Sequence, residues 1–206
     1  DVFDEQRQEL STSYYVVDVR WRCDGTDEIR ELFVAGVLED GNSVIERWKF
    51  TYSLAFGPNG QPVPLSLRRP PRVNRTQLYS GSSLGRVLTV EPDPDGRFVL
   101  FLTRNPAALY RIDLPGGTPA LVIDSSTVPA IANAGIVHVC QHISEGRQYH
   151  LSSGHRWEYD ASLPSDVIFL RDGNNDAVFD PPVVVTQAQW TQAGYDVGSA
   201  WVSLCQ

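Results

Sequence analysis

The segment from residue 172 to residue 180 carries oxygen-bearing side chains at alternating positions. Its sequence is Asp172-Gly173-Asn174-Asn175-Asp176-Ala177-Val178-Phe179-Asp180. Alternate residues of such a loop turn inward and can replace the water around a hard cation, so the spacing predicts a calcium site. The predicted ligands are Asp172, Asn174, Asp176, the Val178 carbonyl and Asp180. The alternative is a polar hairpin turn in which Asp and Asn side chains bond to their own backbone.

This spacing resembles the Asp-x-Asn-x-Asp loops of dockerins, thrombospondin type 3 repeats and related exported calcium modules. The resemblance implies calcium as the bound ion. The sequence departs from the family pattern at two positions, because Ala177 stands where the sixth loop residue is usually Gly and Val183 stands where the twelfth is usually acidic. Both departures lower the calcium affinity that we expect.

A second group of candidate ligands consists of the histidines and one cysteine. They lie close together in the sequence, at His138, Cys140, His142, His150 and His155. If 136–143 is a strand, His138, Cys140 and His142 share one face, and a turn at 144–146 places His150 opposite Cys140. Such a set could hold Zn²⁺ or copper and could serve a metal-dependent enzyme. Histidines on half-buried strands are usually only hydrogen-bonded, so we expect no transition metal here.

Arginines are concentrated in a proline-containing segment, at Arg68, Arg69, Arg72 and Arg75. Pro70-Pro71 favours an extended backbone there. Guanidinium groups bind carboxylate and sulfate in a bidentate manner, so this segment is a candidate contact for a protein or glycan partner. Solvated loop arginines are the common alternative.

Motifs of several enzyme classes are absent from the sequence. It contains no Gly-x-Ser-x-Gly, no phosphate-binding P-loop, no His-Glu-x-x-His and no dinucleotide fingerprint. Enzyme activity therefore has no positive signal. The leading hypothesis is an exported, non-catalytic binding or structural module that calcium stabilises.

Charge and hydropathy limit the class of protein further. The 206 residues include 17 basic and 25 acidic side chains, for a net charge of −8. This balance argues against general nucleic-acid binding, which needs concentrated positive charge. No apolar run approaches the roughly 18 residues that a membrane-spanning helix needs. The chain begins at Asp1 and contains no Met, so we expect a removed signal peptide and an extracellular or periplasmic location.

Three cysteines permit at most one internal disulfide. Cys23 and Cys205 lie near opposite ends in similar Trp-containing contexts, so we expect them to be bridged, with Cys140 free. Such a bridge would stabilise the fold by at most about 5 kcal/mol. The alternative is three buried thiols.

The elements that must position these residues are strands. Apolar residues alternate with polar ones in short segments separated by Gly, Pro, Asn and Asp, which predicts an all-β fold of antiparallel sheets. Hairpins are predicted around Asp40-Gly41-Asn42 and around 92–96. Phe98–Leu102 is apolar on both faces, which predicts a central strand. We expect a tail at 1–12, one domain over 13–206 and a Pro/Arg-rich excursion at 57–83, which could instead be a domain boundary.

The stretch 94–101 followed by 108–119 resembles the WD40-like repeat of TolB-type β-propellers. The matching features are the Pro94-Asp95-Gly96 turn, an apolar strand, Leu109-Tyr110-Arg111-Ile112-Asp113-Leu114 and the Gly116-Gly117 turn. The resemblance implies propeller-like blades, and 14–67 and 135–186 can be read as two further four-stranded units. A β-sandwich is the alternative.

Overall fold

A computed structural model describes residues 13–24, 27–53, 56–61, 63, 71–142, 146–152 and 166–192. This part of the chain is nearly all β-structure, as predicted. It contains twelve strands: β1 (Ser13–Asp24), β2 (Asp27–Val37), β3 (Ser43–Ser53), β4 (Arg72–Gly81), β5 (Arg86–Pro92), β6 (Phe98–Arg104), β7 (Ala108–Asp113), β8 (Ala120–Asp124), β9 (Ile136–His142), β10 (Gly146–Ser152), β11 (Val167–Asp172) and β12 (Val183–Val185).

The strands form three four-stranded antiparallel sheets, in the orders β1-β2-β3-β4, β5-β6-β7-β8 and β12-β11-β10-β9. Each sheet joins strands that are consecutive in sequence. The chain divides into two compact units between Ser82 and Ser83, so that the first sheet forms one unit and the other two sheets form the second. Repeated sheets of one domain also separate in this way, and the single domain over 13–206 stays a prediction.

In the first unit, the predicted hairpin at Asp40-Gly41-Asn42 is confirmed. Strands β2 and β3 pair in register from Val37 opposite Ser43 to Asp27 opposite Ser53. Gly41 adopts a φ of +82°, which only glycine adopts without strain, and the Asn42 N–H donates to Asp40 Oδ1 at 2.9 Å. The turn chemistry alone therefore determined this pairing.

Strand β4 lies inside the excursion that was predicted at 57–83. It pairs with β3, and most of its residues are exposed. An exposed edge strand has no buried face, so its sequence lacks the apolar alternation by which strands are recognised. Residues 64–70, which include Arg68 and Arg69, lie outside the described residues, as does the predicted tail at 1–12.

In the second unit, the predicted hairpin of β5 and β6 is also confirmed. Gly96 closes its turn with a φ of +71°. Strand β6 pairs with β5 on one side and with β7 on the other, and every residue of Phe98–Leu102 is 0% exposed. The central position predicted for this strand is therefore correct.

The last sheet corresponds to the four-stranded unit predicted at 135–186. It runs from Ile136 to Val185, and β11 pairs with β12 as predicted, with Val167 opposite Val185. The connection between β11 and β12 contains the acidic loop.

The two sheets of the second unit share one apolar core. Its fully buried members come from β6, β7, β10 and β11 and from the short 3-10 helix Pro129–Asn133; the largest are Phe98, Leu100, Leu102, Leu109, Ile131, Tyr149, Leu151, Ile168 and Leu170. The strands that come first in the sequence of each sheet, β5 and β9, make the most extensive contact between the two sheets. This packing brings the turns that follow β5 and β11 together.

The 3-10 helix and the helix α1 (Gln187–Gln192) were not predicted. Helices of five or six residues are too short to show a helical period. In the part of the chain that the structure describes, no helix is long and apolar enough to cross a membrane.

No disulfide is seen among the described residues. Cys205 and the last predicted strand lie outside them, and so do the side chains of Cys23 and Cys140. The bridge between Cys23 and Cys205 stays a prediction.

Candidate functional site

The acidic loop begins at the last residue of β11. Asp172 is 0% exposed, whereas Asn174, Asp176 and Asp180 are exposed. The Asp180 N–H donates to the Arg171 carbonyl at 2.8 Å, which closes the loop at its base. The loop thus combines one buried carboxylate with several polar side chains at the surface.

Hydrogen bonds inside the loop join its side chains to its own backbone. The Ala177 N–H donates to Asp172 Oδ2 at 3.0 Å, and the Val178 N–H donates to Asp176 Oδ1 at 2.8 Å. Asn174 Nδ2 donates to Asp176 Oδ2 at 2.9 Å. These are the contacts expected of a polar hairpin turn.

Two loop residues adopt left-handed backbone conformations. The φ angles are +57° at Asn175 and +69° at Ala177. Ala177 stands at the sixth loop position, where the related calcium loops have Gly, and its φ is one that glycine adopts without strain and alanine only at a cost. A left-handed conformation at a residue other than Gly costs roughly 1–3 kcal/mol, so the surrounding contacts must hold this loop in place.

The residues present fit calcium in part. Every candidate ligand atom is an oxygen, and Asp172 Oδ1 is buried with no hydrogen-bond partner among the residues that the structure describes. Among the described residues, however, no three His, Cys, Asp or Glu side chains are gathered closely enough to hold a metal ion. Ion binding would therefore require the loop side chains to rearrange.

A buried ion-pair network lies beside the loop, and Asp93 is its centre. Asp93 Oδ1 accepts hydrogen bonds from Arg147 Nη1 at 2.7 Å, from the Tyr149 hydroxyl at 3.0 Å and from Arg97 Nη2 at 3.1 Å. Its Oδ2 accepts from the Arg97 N–H and from Arg97 Nε, both at 3.1 Å.

These contacts shift the pKa values of the network. Burial raises the pKa of the Asp93 carboxyl, but the hydrogen bonds from Arg97, the charge of Arg147 and the hydrogen bond from the Tyr149 hydroxyl outweigh burial and hold that pKa below its ordinary value. Burial and the neighbouring Asp93 charge raise the pKa of Tyr149 far above its ordinary value.

Arginine side chains connect this network to the loop. Arg97 Nη2 lies 3.3 Å from Asp172 Oδ2, and Arg97 Nη1 donates to the Asn175 carbonyl at 2.6 Å. Arg111 Nη1 donates to the Ala177 carbonyl. The first sheet of the second unit therefore holds the loop of the second sheet through two guanidinium groups.

Sequence analysis missed Asp93, Arg97, Arg147 and Tyr149 as site residues. The pentapeptide around Asp93 was interpreted only as a turn. The sequence does contain one signal, because a Gly-Arg pair stands near the beginning of the second strand in both sheets. Gly96-Arg97 directly precedes β6, and Gly146-Arg147 begins β10. The arginines of this repeated pair meet on Asp93.

The histidine register differs from the prediction. His150 lies opposite His138, and Gln148 lies opposite Cys140. Gly146, which was predicted to be the last residue of the turn, is instead the first residue of β10 and pairs with His142. Gly146 adopts a φ of +75°, and a Cβ there would lie 2.5 Å from the Asp172 carbonyl oxygen, so this position in the ladder requires Gly.

The predicted four-ligand histidine cluster is not seen among the described residues. His150 is 0% exposed, and its ring packs on Phe169 with a centroid distance of 4.8 Å. His138 Nδ1 lies 3.6 Å from Glu91 Oε1. His155 and the side chains of Cys140 and His142 lie outside the described part of the chain.

Two of the four candidate partner-binding arginines are described, both on β4. Arg75 Nη2 lies 3.0 Å from Glu46 Oε2, and its guanidinium carbon lies 4.7 Å from the centroid of the Trp48 ring. Trp48 Nε1 donates to the same carboxylate at 2.7 Å. Arg72 is exposed at the beginning of the strand.

The chain matches no protein-family model, no curated protein and no solved structure.

Proposed function

We propose that this chain is an exported, non-catalytic binding or structural module whose sheets are propeller-like blades and whose β11–β12 loop binds calcium. The ligands are Asp172, Asn174, Asp176, the Val178 carbonyl and Asp180. One observation carries the calcium assignment: Asp172 Oδ1, at the first ligand position of an all-oxygen loop, is buried and has no hydrogen-bond partner in the described part of the chain. Such an atom gains most from an added cation, because a buried oxygen without a partner has lost its hydration.

The charges of the loop also favour a cation. Three carboxylates lie within nine residues, and a divalent ion converts their mutual repulsion into attraction. The ion would in addition fix the turn between β11 and β12, whose pairing covers only three residues of each strand. Calcium at a hundred times its Kd would stabilise the fold by about 2.7 kcal/mol.

The arrangement of the second unit supports propeller-like blades. Both of its sheets are four-stranded meanders, and their first strands are in contact. Propeller blades are four-stranded sheets repeated around a central channel, so one edge strand of each blade must approach the neighbouring blade closely.

A calcium titration followed by thermal unfolding tests the proposal. We expect the melting temperature to fall on chelation with EDTA and to rise with millimolar calcium. Asp176→Ala should abolish this difference. Asp40→Ala is the matched control, because Asp40 is an exposed turn aspartate whose Oδ1 accepts the N–H two residues further on, as Asp176 Oδ1 does, and it belongs to the first unit. Identical unfolding of the wild-type protein in EDTA and in calcium would reduce the loop to a polar turn.

The proposed partner is a protein or glycan that carries carboxylate or sulfate groups and contacts Arg68, Arg69, Arg72 and Arg75. Arg72 is exposed on β4, and the Arg75 guanidinium contacts Glu46, which reduces the positive charge that Arg75 offers to a partner. Retention on a sulfated polysaccharide, compared with its unsulfated form, tests the proposal. The combined variant R68Q/R69Q/R72Q should lose that retention, and R75Q should lose less of it.

A further inference from the structure

We propose that Arg97 competes with calcium for Asp172, and that Asp93 controls this competition by holding the same guanidinium. The inference rests on the proposed calcium loop and concerns the regulation of its affinity. The Arg97 guanidinium makes two hydrogen bonds to Asp93, and the Arg97 backbone N–H makes a third. The same guanidinium contacts the loop twice, at 2.6 Å to the Asn175 carbonyl and at 3.3 Å to Asp172 Oδ2. Asp93 and the loop therefore share this guanidinium.

The two oxygens of Asp172 have different environments. Oδ2 receives the Ala177 N–H and the Arg97 guanidinium, whereas Oδ1 has no partner among the described residues. A calcium ion on Oδ1 would share this carboxylate with a permanently charged guanidinium. The two cations would repel each other at short range, in a partly buried site where solvent screens poorly.

The charge of Asp93 lowers this repulsion. Asp93 contacts the guanidinium groups of Arg97 and Arg147, and Arg147 also pairs with Asp95 at 2.5 Å. Asp93 therefore neutralises part of the Arg97 charge that the loop would otherwise meet. A neutral side chain at position 97 should remove the competing charge and leave the ligand set intact.

Isothermal titration of the full chain with calcium chloride at fixed ionic strength tests the inference. Arg97→Gln should bind calcium at least about tenfold more tightly than the wild-type protein, because one unit charge near the ion is removed. Arg97→Lys keeps the charge and should stay within about threefold of the wild type. Arg104→Gln is the control for net charge, since Arg104 ends β6, which begins directly after Arg97, so it lies roughly 23 Å along the chain from Arg97, and it contacts the Ala134 carbonyl.

The direction of the change separates competition from a purely structural role. An arginine that only positioned the loop would weaken calcium binding when removed, so an unchanged or lower affinity of Arg97→Gln overturns the inference. Calcium binding by the wild-type protein together with that result would leave the proposed function intact. A wild-type protein that does not bind calcium overturns both.

A measurement on the wild-type protein keeps the inference testable if Arg97→Gln does not fold. In ¹⁵N-resolved NMR spectra, the Arg97 Nε–H signal should shift on calcium saturation together with the Ala177 amide signal. A shift of the loop amides with an unchanged Arg97 signal would contradict the competition.

Discussion

Asp93→Asn should destabilise the second unit more than any other single charge removal in the network. The carboxylate is 0% exposed and accepts hydrogen bonds from Arg97, Arg147 and Tyr149. The asparagine amide would replace the two carboxylate oxygens by one acceptor oxygen and one donor NH₂ group. The guanidinium groups of Arg97 and Arg147 would then lose their counter-charge, and Arg147 is only 3% exposed. Removing one partner of a buried ion pair costs about 3–5 kcal/mol, which is the loss that we expect.

The same variant should change the acid dependence of stability. The pKa of Asp93 is lowered in the folded protein, so the unfolded state binds its proton first as the pH falls. The stabilisation by Asp93 is therefore complete above its unfolded pKa of about 3.9 and is lost as the pH falls through the folded pKa. In Asp93→Asn, the free energy of unfolding should therefore fall less steeply as the pH is lowered below about 5.

Urea unfolding at pH 7 and at several values below pH 5 measures both effects. The control is Asp113→Asn, which removes an exposed carboxylate that pairs with Arg111 and should cost less than about 1 kcal/mol. The urea concentration at the unfolding midpoint should fall in Asp93→Asn, with an unchanged m value. If Asp93→Asn lowers the free energy of unfolding by less than about 1 kcal/mol, or leaves its pH dependence below pH 5 unchanged, this network does not hold the two sheets together.

Three further predictions concern the backbone and the cysteines. Gly146→Ala should cost roughly 2 kcal/mol or more in urea unfolding, because its Cβ would lie 2.5 Å from the Asp172 carbonyl oxygen and its φ is +75°. Ala177→Gly should instead stabilise the protein by about 1 kcal/mol, since its φ is +69°, and a lower midpoint would contradict the backbone assignment. Peptide mapping without reduction should find Cys23 joined to Cys205, and alkylation of both thiols would exclude that bridge.

The sequence by itself determined the strands and hairpins that depend on neighbouring residues. The hairpins at Asp40-Gly41 and Gly96 were predictable because each turn needs a residue at positive φ, which glycine adopts without strain. Phe98–Leu102 was recognisable as a central strand because a segment covered on both faces carries apolar residues at every position. The oxygen spacing of the acidic loop was also visible, and its calcium-binding role is still a prediction.

Tertiary packing decided what local pattern could not encode. Strand β4 is exposed and therefore has no apolar alternation, and the register of His150 depended on the fit of Gly146 against the backbone at Asp172. The ion-pair network joins Asp93 to Asp172, which are separated by 79 residues in the sequence. No spacing rule connects such positions. They meet only because two sheets pack on one core and bring the turns of different hairpins to the same place.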